Sequence, residues 1–317
     1  MGVAIYSAVV NLDPEWSVEL YILDGGICPE NKQRLERVVE NSPRDVNIYW
    51  PHINLETVDI LPVRDRFSAA MHLRFLIPEI VPEAWDRAIY IDGDVLVEAS
   101  LSRLWTKPFD GAAALAVRDW HNPYLSSLLS IENCEELGLD PKAPYFLSGM
   151  LVFNLVRWRN EPISDNAVEF LRKHEQLVRY PDQDALNVAL ANDWKPIDPQ
   201  WHVNIKSDVL ERISDSPFKQ ELRSRLDDLL YNPHIYHFSG VQKPWSVEYF
   251  HPITHSWFHY WFYHLWRSGW FTKMECVKSV VQFYVGAIDA WARDQSRPLR
   301  HWLIARIPAP ISRFLKK

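Results

Sequence analysis

An apolar, β-branched run that ends in two carboxylates sets the tightest limit on this chain: Tyr90-Ile91-Asp92-Gly93-Asp94-Val95-Leu96-Val97. A run of this composition reads as a buried strand. In extended backbone, residues two apart point to one face. The spacing therefore predicts that Asp92 and Asp94 hold one hard divalent cation from one side. Carboxylate oxygens suit Mg²⁺ and Mn²⁺ rather than soft metals. Open α/β sheets gather their ligands at strand carboxyl ends, so the run places a site as well as a strand. An isolated Asp-x-Asp is more often a polar turn, and segments further along the chain decide against that here.

Strand-like runs cover Val18–Leu23, Thr57–Leu61, Ala88–Asp92, Ala112–Val117, Met150–Leu155 and Ile235–Phe238. Helix-like runs lie between them: Pro29–Glu40, Ser68–Ile80, Asp165–Lys173, Gln183–Ala191 and Lys219–Tyr231. The alternation predicts an α/β sheet covered by helices on both faces. A net charge of −7 argues against a nucleic-acid partner. Any phosphorylated substrate then needs local cations, from a metal or a few Arg and Lys. The three cysteines, Cys28, Cys134 and Cys276, are too sparse for a disulfide framework or a zinc knuckle. They are expected as buried free thiols in a reducing compartment. Asp13 and Glu15 follow soon after Met1 with no basic segment, so no secretory leader is expected. No stretch approaches the ~20 apolar residues of a membrane span, and the expected location is cytoplasmic.

The character changes after about residue 250, which divides the chain into a domain over 1–250 and an extension over 251–317. Trp257, Trp261, Trp266, Trp270, Trp291 and Trp302 crowd the extension. Val277, Val280, Val281, Tyr284, Ile288 and Trp291 recur at helical spacing and predict one apolar, packed face. Arg293 to Lys317 holds seven Lys or Arg and one Asp. Two readings stand for this end: a solvated basic terminus, or a peripheral membrane contact in which basic residues meet anionic lipid.

Two further segments carry chemistry. In His237-Phe238-Ser239-Gly240-Val241-Gln242-Lys243-Pro244-Trp245 an imidazole ends a strand, followed by a Gly and a Lys. The Gly permits close backbone approach to a ligand, and the Lys offers a point charge for phosphate. His237 is a candidate third ligand of the Asp92/Asp94 cation. In Asp182-Gln183-Asp184-Ala185-Leu186-Asn187, acidic residues open a helix. Capping and the helix dipole account for Asp182 but not for Gln183 beside it.

These segments, with Ala69–Leu76 leading into Ala88–Val97 and with Tyr145–Trp158 (YFLSGMLVFNLVRW), resemble the retaining nucleotide-sugar glycosyltransferases of family 8. That family includes lipopolysaccharide galactosyl- and glucosyltransferases and glycogenin. The resemblance runs from about Gly2 to Tyr249 and follows the family's order. It implies a GT-A fold, a Rossmann-like α/β domain binding a UDP-sugar with Mn²⁺. It implies Asp92, Asp94 and His237 as metal ligands, and Gly240 and Lys243 as diphosphate contacts. It implies Arg74 near the donor sugar and diphosphate, Asp182 on the donor sugar, and Gln183 on the sugar face opposite the leaving group. The implied reaction moves a hexose to a saccharide or lipid-linked acceptor.

Two departures stand out. Leu147 occupies the place of an Asn that touches the donor sugar, and it cannot hydrogen-bond a hydroxyl. The family also opens with a strand and an Asp-x-Asn-Tyr-like segment that cradles the uracil, whereas Met1-Gly2-Val3-Ala4-Ile5-Tyr6-Ser7 reads as the following helix. The expectation is a GT-A domain without its first strand. A non-catalytic glycan- or partner-binding protein on the same fold is the alternative. A metal-dependent phosphodiester hydrolase is a third reading, and it would want more clustered His and Asp.

Overall fold

The structure is a computed structural model and describes residues 1–53, 61–62, 68–204, 217–240, 243–245 and 252–282. Residues 2–10 are almost wholly apolar, and a helix of that kind must be buried. Helix α1 (Gly2–Val10) is buried at seven of its nine positions. It leads to strand β1 (Val18–Tyr21), helix α2 (Pro29–Glu40) and strand β2 (Val46–Tyr49). Pro29 at its first turn and Glu30 beside it suit an amino terminus, and the observed span of α2 is the expected one. β2 pairs with β1 in parallel.

The expected helix at Ser68–Ile80 is instead a 3₁₀ stretch, Ala69–Leu76, followed by a short α3 (Ile77–Ile80). Pro78 is the reason. It has no N–H to offer the Arg74 carbonyl four residues back, and that carbonyl accepts from Ile77 N instead.

Strands β3 (Arg87–Ile91) and β4 (Val95–Val97), helix α4 (Ser102–Trp105), strand β5 (Ala114–Arg118) and strand β6 (Phe146–Asn154) follow. After them come helices α5 (Leu155–Asn160), α6 (Ile163–Lys173) and α7 (Pro181–Ala189) and strand β7 (Trp194–Pro196). The expected helix at Lys219–Tyr231 is two, α8 (Pro217–Ser224) and α9 (Leu226–Tyr231), leading to strand β8 (Ile235–His237). A four-stranded mixed sheet runs β3-β6-β5-β7, and β4 pairs with β8 in a separate antiparallel pair. One apolar core lies on β4, β8 and α1, and a second packs α6 and α7 on β6. Of the expected strand Thr57–Leu61, only Leu61 is among the described residues.

Helix α10 (Pro252–Ser268) buries Trp257, Phe258, Trp261 and Phe262 in the first of these cores. Trp257 stacks on Tyr236 at 5.4 Å and donates to the Leu230 carbonyl at 2.8 Å. Gly269, at φ +72°, ends the helix in a conformation that favours glycine. Residues 273–282 are helical, with Cys276 buried and Val280 against the core, whereas Val277 is 47% and Val281 54% exposed. The expectation that Val277, Val280 and Val281 share one packed face is therefore corrected. The buried line runs through positions 276 and 280, and positions 277 and 281 stand one residue, about 100°, around the helix from it. Tyr284, Ile288, Trp291, Trp302 and Arg293–Lys317 lie outside the described residues. Cys134 and Cys276 are buried, but Cys28, in the loop before α2, is exposed, contrary to expectation. Among the described residues no helix is long and apolar enough to cross a membrane.

A cavity of about 1680 Å³ opens beside the sheet. Consecutive residues 18–23 and 88–94 border it. Alternate strand residues face opposite sides, so lining by consecutive residues means that the strand edges face the space. No ladder joins β1 to β3 among the described residues. Helix α1 turns Met1, Ala4, Ile5 and Ala8, spaced three and four apart, onto the same cavity.

Candidate active site

The Asp92-Gly93-Asp94 segment is a turn, not part of one strand. β3 ends at Ile91 and β4 begins at Val95. Asp92 N still donates to Gly149 O at 2.9 Å, extending the β3–β6 ladder. Phe238 N donates to the Asp94 carbonyl at 3.1 Å, extending β4–β8. The turn thus carries the chain from one sheet to the other, and each carboxylate is pinned to a different ladder. This corrects the expectation of two carboxylates on one strand face, while the convergence itself is observed. Asp92, Asp94 and His237 each offer a ligand atom within 4.8 Å of the others. His237 Nε2 lies 3.1 Å from Asp94 Oδ1 and 3.7 Å from Asp92 Oδ2. Two oxygens and one imidazole nitrogen fit a divalent cation such as Mn²⁺ or Mg²⁺.

Gly149, on β6, makes room for this cluster. A Cβ there would stand 2.6 Å from Asp92 Oδ2 and 2.8 Å from His237 Cε1. The Gly is required by close approach rather than by backbone conformation.

Arg74 ties the site together. Its Nη2 lies 3.0 Å from Asp92 Oδ1, and its Nη1 lies 2.8 Å from Asp182 Oδ2 and donates to Ser148 O at 2.9 Å. Its guanidinium sits over the Tyr90 ring at 4.6 Å. Burial works against its charge, but Asp182, Tyr90 and Asp92 hold its pKa above the usual value. Tyr90 Oη donates to Asp92 Oδ1 at 2.5 Å. Lys243 Nζ pairs with Asp94 Oδ2 and donates to Phe238 O at 2.5 Å. The two carboxylates differ electrically. Burial pushes Asp92 up, against the pull of Arg74 and His237. Burial acts on Asp94 too, yet His237 and Lys243 hold it well below the carboxylate range. Gly240, at φ +83°, borders the cavity, as does Lys243.

Asp182 and Gln183 stand on the first turn of α7, which faces β6. Asp182 Oδ2 accepts from Ser148 Oγ at 2.9 Å. Gln183 is held at both ends of its amide: Oε1 accepts from Ser148 N at 3.1 Å, and Nε2 donates to Tyr145 Oη at 3.2 Å. Asp184 faces away. It accepts from Tyr145 Oη at 2.5 Å and from the Arg179 and Tyr180 amides at 2.7 and 2.9 Å. Burial raises its pKa to about 6. Asp119, at the carboxyl end of β5, borders the same cavity, and burial pushes its pKa up. Leu147 borders the cavity at 5% exposure and belongs to the core that includes Val117 and Val203.

All eight residues singled out in the sequence therefore border one cavity: Arg74, Asp92, Asp94, Asp182, Gln183, His237, Gly240 and Lys243. Tyr90, Asp119, Ser148, Gly149 and His202 complete it and were not singled out as site residues. Asp119 follows a strand-like run, which is a usable signal. Ser148 and Gly149 lie inside the motif at 145–158. Nothing in the spacing of His202 points to its place.

The model of the family described as Glycosyl transferase family 8 matches residues 1–248. The chain belongs to glycosyl transferase family 8. It is 30% identical to General stress protein A of Bacillus subtilis, over 84% of this chain and 90% of that protein. It is 25% identical to the lipopolysaccharide 1,2-glucosyltransferase of Escherichia coli, over 79% of this chain and 72% of that one. A solved structure of the galactosyltransferase LgtC, in complex with donor and acceptor sugar analogs, superposes with a TM-score of 0.66 at 20% identity. That superposition covers 84% of this chain and 94% of LgtC. At this identity the likeness speaks for the fold, which is GT-A. This family 8 chain thus joins the expected fold to a cavity that gathers the eight residues singled out in the sequence.

Proposed function

We propose that this family 8 glycosyltransferase is metal-dependent and retaining, moving a hexose, glucose or galactose, from a UDP-sugar to a saccharide or lipid-linked acceptor. One observation carries the reading: Asp92, Asp94 and His237 converge in a cavity that also holds Arg74, Lys243, Asp182 and Gln183. Breaking a sugar–diphosphate bond leaves negative charge on the nucleotide and positive charge at the anomeric carbon. Asp92, Asp94 and His237 would hold Mn²⁺ or Mg²⁺, which supplies positive charge against the departing diphosphate. Lys243 and Arg74 bring fixed cations to the same side, and Gly240 leaves the backbone bare for phosphate oxygens. Charge at the anomeric carbon is offset by the Asp182 carboxylate and by the Gln183 amide oxygen. Ser148 N–H and Tyr145 Oη hold that amide in place. An amide oxygen is a weak nucleophile, so retention is assigned to attack from the face the nucleotide leaves. The homologous lipopolysaccharide glucosyltransferase and the sugar-bound LgtC fold support a hexose donor and a saccharide acceptor.

The same reading extends to a peripheral membrane contact. The segment expected to make it, the basic Arg293–Lys317, lies outside the described residues; ahead of it, helical residues 273–282 expose Met274, Val277 and Val281 beside Lys273 and Lys278, a pairing suited to an anionic lipid surface. The deciding experiment measures UDP-sugar turnover with and without Mn²⁺ and acceptor, in the wild type and in Asp94→Ala. Loss of one of three ligands should abolish Mn²⁺-dependent turnover while the chain stays folded. Full activity in Asp94→Ala would sink the metal-dependent reading. UDP binding without turnover on any acceptor would favour a binding protein on this fold.

A further inference from the structure

His237 engages groups on both sides of its ring. Nε2 faces the carboxylates of Asp94 and Asp92 at 3.1 and 3.7 Å. Nδ1 lies 2.7 Å from Nε2 of His202. The backbone fixes this neighbourhood. Val203 N donates to Ile235 O at 2.9 Å, and His237 N donates to Val203 O at 2.8 Å, so residues 202–204 run alongside β8. His202 is 1% exposed, and its own Nδ1 has no hydrogen-bond partner. The polar contact the structure gives this buried ring is therefore the one to His237.

A neutral imidazole carries one N–H. To ligate through Nε2, His237 must keep its proton on Nδ1, and that N–H needs an acceptor. His202 Nε2 stands in the acceptor's place. With its own proton on Nδ1, a neutral His202 ring leaves the Nε2 lone pair to accept across the 2.7 Å contact. With the opposite arrangement, His202 donating to Nδ1, the His237 proton would sit on Nε2 and point at Asp94, blocking ligation. Metal-bound histidines are commonly oriented by a carboxylate or a carbonyl. Here Asp92, Asp94 and Asp182 already crowd one cluster, and an uncharged imidazole orients the ligand without adding a fourth negative charge.

We propose that His202 is the positioning residue of the His237 ligand: it accepts the Nδ1–H and so fixes the tautomer and ring orientation that leave Nε2 facing the cation position between Asp92 and Asp94. This role rests on the metal-dependent reading above. Its test is Mn²⁺ affinity of the full chain by electron paramagnetic resonance, for wild type, His202→Phe and His202→Gln. Phe keeps a ring and removes both nitrogens, and Gln restores an acceptor near the place of Nε2. Affinity should fall by about 10- to 100-fold in His202→Phe and stay within about threefold in His202→Gln. Long-range ¹H–¹⁵N spectra of the wild type with diamagnetic Cd²⁺ should show the His237 proton on Nδ1. Wild-type affinity in His202→Phe overturns the role, as do equal losses in both variants, which would mean packing alone. If His202→Phe fails to fold, the Gln variant and the Cd²⁺ spectra decide, and a proton on Nε2 of His237 overturns the role. A wild type that takes up no Mn²⁺ overturns the cation reading itself and this role with it.

Discussion

Gly149→Ala tests how tightly the carboxylate cluster is built. The added Cβ would lie 2.6 Å from Asp92 Oδ2, 2.8 Å from His237 Cε1 and 2.9 Å from His237 Nδ1. Ordinary contact begins near 3.4 Å, so Asp92 and His237 must each retreat by roughly 0.5–0.8 Å. Neither has free room: Asp92 is held by Tyr90 and Arg74, and His237 by Asp94 and His202. Cation sites tolerate ligand displacements of only about 0.2 Å. The expected result is a loss of Mn²⁺ affinity of at least about tenfold. Overpacking should also lower stability by roughly 1–3 kcal/mol. Isothermal titration with Mn²⁺ reads the first effect and chemical denaturation the second. The order of effects discriminates: the reasoning requires the metal loss in a protein that still folds. Wild-type Mn²⁺ affinity in a folded Gly149→Ala protein would refute it, because the residue would then have room that the geometry denies.

Three other outcomes follow from the geometry. Lys243→Ala should weaken UDP binding by about tenfold and slow turnover; unchanged affinity and rate, by calorimetry and assay, would remove Lys243 from the diphosphate site. Asp184 carries a folded pKa of about 6, above the ordinary 3.8; the folded state binds the extra proton, so stability is full below about pH 4 and falls as pH rises through about 6. Wild type should therefore lose up to roughly 3 kcal/mol relative to Asp184→Asn across that window, and denaturation curves showing a constant difference would contradict this. Met274→Glu should reduce binding to anionic liposomes while UDP-sugar turnover in solution stays unchanged; equal liposome binding by both forms would remove the exposed face from any lipid contact.

Much of the site was legible because its chemistry is local. The runs at 90–97, 182–187 and 237–245 each carry unusual polar residues beside a strand or a helix start, and all three meet in one cavity. What the chain hides is the geometry between them. The two carboxylates look like neighbours on one strand, but the backbone turns between two sheets at Asp92-Gly93-Asp94. Leu147-Ser148-Gly149 reads as weak strand by propensity, yet β6 runs through them from Phe146, which is held by its pairing with Arg118. Pro78, visible in the sequence, broke the helix expected around Arg74. His202 had no readable signal, because its meaning comes from the backbone bridge of Val203 to Tyr236, which sets it beside His237, 35 residues along. In the same way, Tyr90 looked like one more strand aromatic until Arg74 lay across its ring.

The two walls of the cavity differ in stiffness. On one side, each carboxylate of the turn is anchored in its own hydrogen-bonded ladder, and moving either one breaks backbone bonds. On the other side, β1 and β2 form a pair of their own among the described residues, held to the rest by side chains: α1 and α2 pack on one core, and Tyr21 and Leu23 on another. Packed side chains slide at small cost, as they do in shear motions, and among the described residues no ladder bond ties this wall to the other. The proposed cation ligands sit on the rigid wall, where sub-ångström placement matters. The yielding wall is where a bulky guest gains space.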